Sequence, residues 1–119
     1  MTDTTHEDAF DLFDLKVEVV HRDTSRPLVC RHKEGDYFFL RGGIMEFPPE
    51  RPTFGYYAML AVLPFLMAKQ RPTQRCDWMS TDGDIACTDP YCGAAFRITR
   101  LDRKTYRHSD YTKVPLTPA

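Results

Sequence analysis

The stretch from Phe54 to Ala68, Phe-Gly-Tyr-Tyr-Ala-Met-Leu-Ala-Val-Leu-Pro-Phe-Leu-Met-Ala, limits the possible folds more than any other part of the chain. Its length and composition predict one substantial helix. Pro52 stops the preceding segment, Thr53 offers a capping hydroxyl, and Lys69, Gln70 and Arg71 before Pro72 make a cationic last turn and a breaker. Pro64 lacks an amide donor and crowds the turn before it, which predicts a kink or split near Leu60 to Leu63. The apolar run Tyr56 to Ala68 falls short of the roughly 20 residues that cross a bilayer. A helix that is apolar nearly all round needs cover on two sides. The expected covers are the chain's own sheet and another chain.

Around this helix the pattern is strand, strand, helix, strand, strand. Leu15, Val17 and Val19 alternate with Lys16 and Glu18 as a half-buried strand, and Tyr37 to Arg41 is a second strand closed by Gly42-Gly43, with Ile44 to Phe47 continuing beyond the bend. Pro48, Pro49 and Pro52 stiffen the approach to the helix. Asp84 to Cys87 and Ala94 to Leu101 supply the last two strands. The expected fold class is α+β, a mostly antiparallel four-stranded sheet in the sequence order β-β-α-β-β, with one kinked apolar helix across one face. Three segments follow: an acidic arm over 1–14, a single domain over 15–101, and a basic, proline-containing tail over 102–119 expected to dock on a neighbouring subunit or partner.

The 119 residues suffice for one domain, and 42% hydrophobic with 28% charged residues is an ordinary globular balance. A net charge of −1 gives no general attraction to nucleic acid or to an anionic membrane. Charge is unevenly placed. Met1 to Asp23 holds seven acidic residues against Lys16 and Arg22, and Gly93 to Ala119 holds six basic residues against Asp102 and Asp110. The two ends therefore either pair, within or between subunits, or stay as solvated tails. The acidic, polar amino end has neither the positive region nor the apolar region of a secretory signal, so the expected compartment is the cytoplasm. Four cysteines there read as thiols or metal ligands sooner than as disulfides.

Cys87 and Cys92 bracket a turn containing Pro90 and are followed by Gly93, an arrangement that brings two thiolates together and lets backbone amides face sulfur. Four-coordinate zinc needs two further ligands, and Cys30, Cys76 and His32 are the candidates. The alternatives are ordinary buried thiols, or a reactive nucleophile with His32 or His21 as its base. Asp77, Asp82, Asp84 and Asp89 sit in loops, where aspartates cap turns or bind a hard cation; Trp78, with Tyr56 or Tyr57, is a candidate pocket wall or partner contact, alongside Asp77 and Asp89. Gly42-Gly43 lacks the following helix that a phosphate loop needs. No hydrolase triad motif, Walker loop or dinucleotide fingerprint is present.

The succession Cys30-x-x-x-Glu34-Gly35-x-x-Phe38, the aromatic-rich helix Phe54 to Met67, Asp77-Trp78-Met79, Ile85-Ala86-Cys87-Thr88-Asp89-Pro90 and Phe96-Arg97-Ile98 resembles a family of small prokaryotic proteins of unassigned function. The likeness spans Leu15 to Leu101 and singles out Cys30 and Cys87. Cys92 and both ends depart from the pattern, as does Phe54, which stands near where the family carries a cysteine. Ala95-Phe96-Arg97 and the stretch Val114 to Pro118 bear a fainter likeness to small accessory subunits of prenylated-flavin aromatic-acid decarboxylases. The surplus of apolar surface on the helix and the two long arms predict an accessory subunit of a larger cytoplasmic enzyme complex, holding zinc or iron through Cys30, Cys76, Cys87 and Cys92 and leaning away from activity on its own; the decarboxylase likeness names one sort of complex it would belong to. The competing expectations are a small homo-oligomeric enzyme with a cysteine- or metal-centred site at the subunit boundary, and a homo-oligomeric small-molecule binding module.

Overall fold

The structure, a computed structural model, describes residues 7–118. It is an α+β fold with one α-helix and an antiparallel sheet. The strands are β1 (Ala9–His21), β2 (Tyr37–Arg41), β3 (Ile44–Glu46), β4 (Asp84–Ala86) and β5 (Ala94–Arg107), and the helix α1 (Tyr56–Gln70) lies between β3 and β4. The sheet order is β3-β2-β1-β5-β4. This corrects the four-stranded expectation: Ile44 to Glu46 does not continue β2 but turns back and pairs with it, because Gly42, at φ 61°, reverses the chain.

The alternation in β1 sets the core. Leu15 faces Leu40, Val17 faces both Phe38 and Ile98, and Val19 faces Phe96, so large apolar groups fill the middle of one face of three adjacent strands. Ala58, Val62 and Leu66 of α1 cover that face, and Phe54 adds its ring to those of Phe38 and Phe96. Full burial of a side chain such as Val62 or Leu66 contributes about 1.5–3 kcal/mol. No described helix is long and apolar enough to cross a membrane.

Several expected boundaries move. α1 runs as a single helix through Pro64, without the split expected near Leu60 to Leu63. Its N-cap is Gly55 rather than Thr53, with no side-chain cap bond. Residues 9–14 and 102–107, expected as arm and tail, belong to β1 and β5 and pair with each other from Ala9↔Arg107 to Phe13↔Arg103. Phe13 faces Arg103 and Leu15 faces Arg100, so β5 carries one extra residue at a bulge beside Asp14. The acidic and basic ends pair within the subunit: Asp11 with Arg103 at 2.7 Å, Asp14 with Lys104 at 2.7 Å, and Asp8 with Arg107 at 3.2 Å.

The sheet covers only one side of α1. Tyr56, Tyr57, Leu60, Leu63 and Met67 are exposed in a line along the other side, and the second cover expected for this helix does not come from the chain's described residues.

Candidate functional site

Three of the four cysteines come together where the loop after β1, the loop after β4 and the start of β5 meet. Gly93 makes this possible. Its carbonyl accepts the amides of Arg22 and Asp23 at 3.0 Å, and its own amide donates to Pro27 at 2.8 Å. A Cβ here would stand 2.5 Å from the Arg26 carbonyl oxygen and closer still to that of Asp23. Only glycine lets the loop over 22–28 close onto the turn that carries Cys92. Arg26 fastens the closure by donating to the Pro90 carbonyl, and its own carbonyl lies 2.7 Å from Nε2 of His21.

The Cys92 thiol is buried and receives the Val29 amide at 3.2 Å. Burial opposes its ionisation. Hydrogen bonds from the amides of Cys30, Ala94 and Val29 and from the Cys87 thiol outweigh that penalty and bring its pKa down to about 7. Cys30 and Cys87 shift the other way: burial is the largest cause, and the neighbouring Cys92 sulfur adds to it in both. Together the three form one acidic thiol flanked by two weaker ones.

Cys30 and Cys87 line a groove of about 400 Å³ whose other wall is the amino end of α1, with Tyr56, Tyr57 and Ala58. His32 fixes that wall. Its Nε2 accepts the Gly55 amide at 2.9 Å and its Nδ1 bonds the Asp36 carboxylate at 3.0 Å, while its ring stacks on Phe54 at 4.3 Å between centroids. Both nitrogens are thus engaged, and the histidine anchors the helix start. Depression of the Asp36 pKa, held against the cost of burial by the Lys33 amide, His32 and Arg51, keeps this anchor charged.

The remaining candidates lie apart from the thiols. Cys76 is exposed in the loop before the short 3₁₀ turn Trp78–Ser80 and takes no part in the interactions among the other three. Asp77 caps that turn through the Met79 amide at 2.9 Å, and Asp89 caps the turn before Cys92 through the Tyr91 amide at 2.9 Å. Trp78 packs on Phe65, 6.4 Å between centroids, so it does not share the groove with Tyr56 and Tyr57. The thiol donor set is soft and suits zinc or iron. Among the described residues, however, no group of three or more His, Cys, Asp or Glu side chains is disposed to hold a metal ion as folded.

The sequence reading missed a second cluster. Lys69, Arg100, Arg22 and Arg97 line a cleft of about 670 Å³ beyond the carboxyl end of α1. A lysine closing an otherwise apolar helix was the available signal, and it reads equally well as an ordinary last-turn cation. No family model, no curated protein and no solved structure matches the chain.

Proposed function

We propose that the protein is a small accessory subunit of a larger enzyme complex, docking through the exposed side of α1 and carrying the Cys30, Cys87 and Cys92 thiols beside that docking face. One observation carries this reading: the uncovered line Tyr56, Tyr57, Leu60, Leu63 and Met67 ends at the wall of the thiol groove. Scattered exposed apolar residues are normal, but a contiguous row along one helix is a contact surface in want of a partner.

A self-sufficient thiol enzyme fits less well. A nucleophile should be both ionised and reachable. Here the thiol ionised near pH 7 is the buried Cys92, and the two that line the groove have raised pKa values. Among the described residues the side chains do not surround an ion as folded, so the reading rests on the thiols themselves, and zinc or iron enters it only as an ion they would hold in the complex.

Native mass spectrometry of protein purified without chelator and without oxygen tests this. A heterocomplex is the expected result, and a metal mass that disappears with Cys87→Ser would add the ion. A metal-free homo-oligomer would overturn the accessory reading and favour a site shared between identical subunits.

A further inference from the structure

The cleft beyond the carboxyl end of α1 carries an imbalance of charge. Four cations line it, Arg22, Lys69, Arg97 and Arg100, against two carboxylates, Asp82 and Asp84. Asp84 is consumed by its neighbours: it bonds Arg97 at 2.8 and 3.0 Å and pairs with Arg22 at 3.6 Å. Asp82 accepts the Thr81 hydroxyl at 2.8 Å. Lys69 and Arg100 have no carboxylate within ion-pair distance among the described residues.

Lys69 is the unusual member. It is only 3% exposed, and its ammonium makes one hydrogen bond, to the Met79 carbonyl at 2.7 Å, although it has three protons to donate. A buried cation with a single neutral partner is costly. The carbonyls at the end of α1 would be its natural counter-charge. Arg100 takes them instead, donating from Nε to Lys69 and from Nη2 to Arg71, both at 2.8 Å. Burial, followed by the nearby Arg100 charge, accordingly lowers the Lys69 pKa.

We infer that this cleft is a binding site for a small, hydrophilic, multiply negative oxyanion whose charged group sits against Lys69, in the field of Arg100 and Arg22. The volume is that of a metabolite-sized pocket. Among the residues that line it only Ile98 is a large hydrophobe, which disfavours an apolar ligand. Polycarboxylates and phosphates share the required chemistry, and the probes below separate them. This site is independent of the thiol groove at the other end of α1.

The test uses the whole protein and its only tryptophan, Trp78, which sits on the turn whose Met79 carbonyl Lys69 holds. Citrate and inorganic phosphate are titrated at constant ionic strength while Trp78 emission and thermal midpoint are followed. One or both should give a saturable change and raise the midpoint, as any ligand of the folded state does. Lys69→Met keeps the side-chain volume and should weaken that binding by about tenfold, the scale of one charge-assisted hydrogen bond. Arg22→Gln alters a largely exposed side chain whose ion pair with Asp84 contributes little to stability, and should weaken it by about threefold. No saturable response of the native protein to either probe overturns the inference, as does binding that neither variant changes. If Lys69→Met does not fold, Arg22→Gln decides alone.

Discussion

At Cys92, burial and hydrogen bonding pull in opposite directions, and the amides win. The folded pKa of about 7 lies below the ordinary value of 9.0, so the thiolate contributes stability that is fully present above pH 9 and is lost as pH falls through 7. Cys30 and Cys87 have the opposite sign: their raised pKa values contribute stability below pH 9 that is lost above it. Thiolate absorbance should therefore show one step centred near pH 7, and Cys92→Ser should remove that step while leaving those at higher pH. A single transition above pH 9 in the native protein would contradict the amide cradle. Gly93 is the residue on which that cradle depends. Gly93→Ala forces the Asp23 and Arg26 carbonyls apart and should cost about 3 kcal/mol in urea unfolding, at the upper end of overpacking penalties. The same variant should move the low-pH thiol step upward, because the Val29 amide leaves with the loop.

Among the elements, the long β1/β5 ribbon depends on buried charges: Asp11 and Asp14 are enclosed where the sequence predicted only an acidic arm. Asp14 is fully buried beside the bulge, held by Lys104 at 2.7 Å and Arg41 at 3.3 Å, and its Oδ1 has no hydrogen bond among the described residues. Removing a buried carboxylate from such a pair costs about 3–5 kcal/mol when its partner is left buried. Lys104 and Arg41 both keep contact with water, so Asp14→Ala should cost less, about 2 kcal/mol by thermal or urea unfolding. No loss of stability would mean that the pairs merely offset their own desolvation. The same charges explain what the sequence did and did not disclose. Leu15 to Val19 is legible because its alternation is local. Asp11 and Asp14 interrupt the pattern over 9–14, and the partners that make their burial tolerable are distant in sequence, Arg103 lying 92 residues from Asp11 and Arg41 27 residues from Asp14. Cys87 and Cys92 are brought near each other by one short turn, a proximity visible in spacing. His32 is not legible in the same way, since its partner, the Gly55 amide, exists only once the helix start has been placed. Lys69 and Arg100 escape for the same reason: two unremarkable cations become a site only when the end of α1 docks against β5.

Across the whole molecule, α1 works as a bridge. Its 15 residues span about 22 Å from the thiol groove at Gly55 to the cationic cleft at Lys69. The radius of gyration is 16.6 Å, against about 13.5 Å for a compact chain of this length, so the molecule presents more surface than a self-contained domain of its size. Its extents of 52 × 34 × 22 Å describe a slab with the helix on one broad face. A partner seated on Tyr56, Leu60, Leu63 and Met67 would lie against both sites at once, closing the groove over Cys30 and Cys87 and reaching toward the cleft. Leu60→Glu with Leu63→Glu separates that role from folding. Both side chains are already exposed, so the double variant should unfold within about 0.5 kcal/mol of the native protein. Its Cys92 titration and its citrate and phosphate binding should be unchanged, since neither residue touches either site. Association should be abolished, because two carboxylates would be buried without counter-charges in the middle of an apolar contact. Native mass spectrometry of the heterocomplex, with the two proteins purified in parallel from the same source without chelator and without oxygen, makes the comparison. Association that survives the double substitution would exclude this face of α1 as the docking surface.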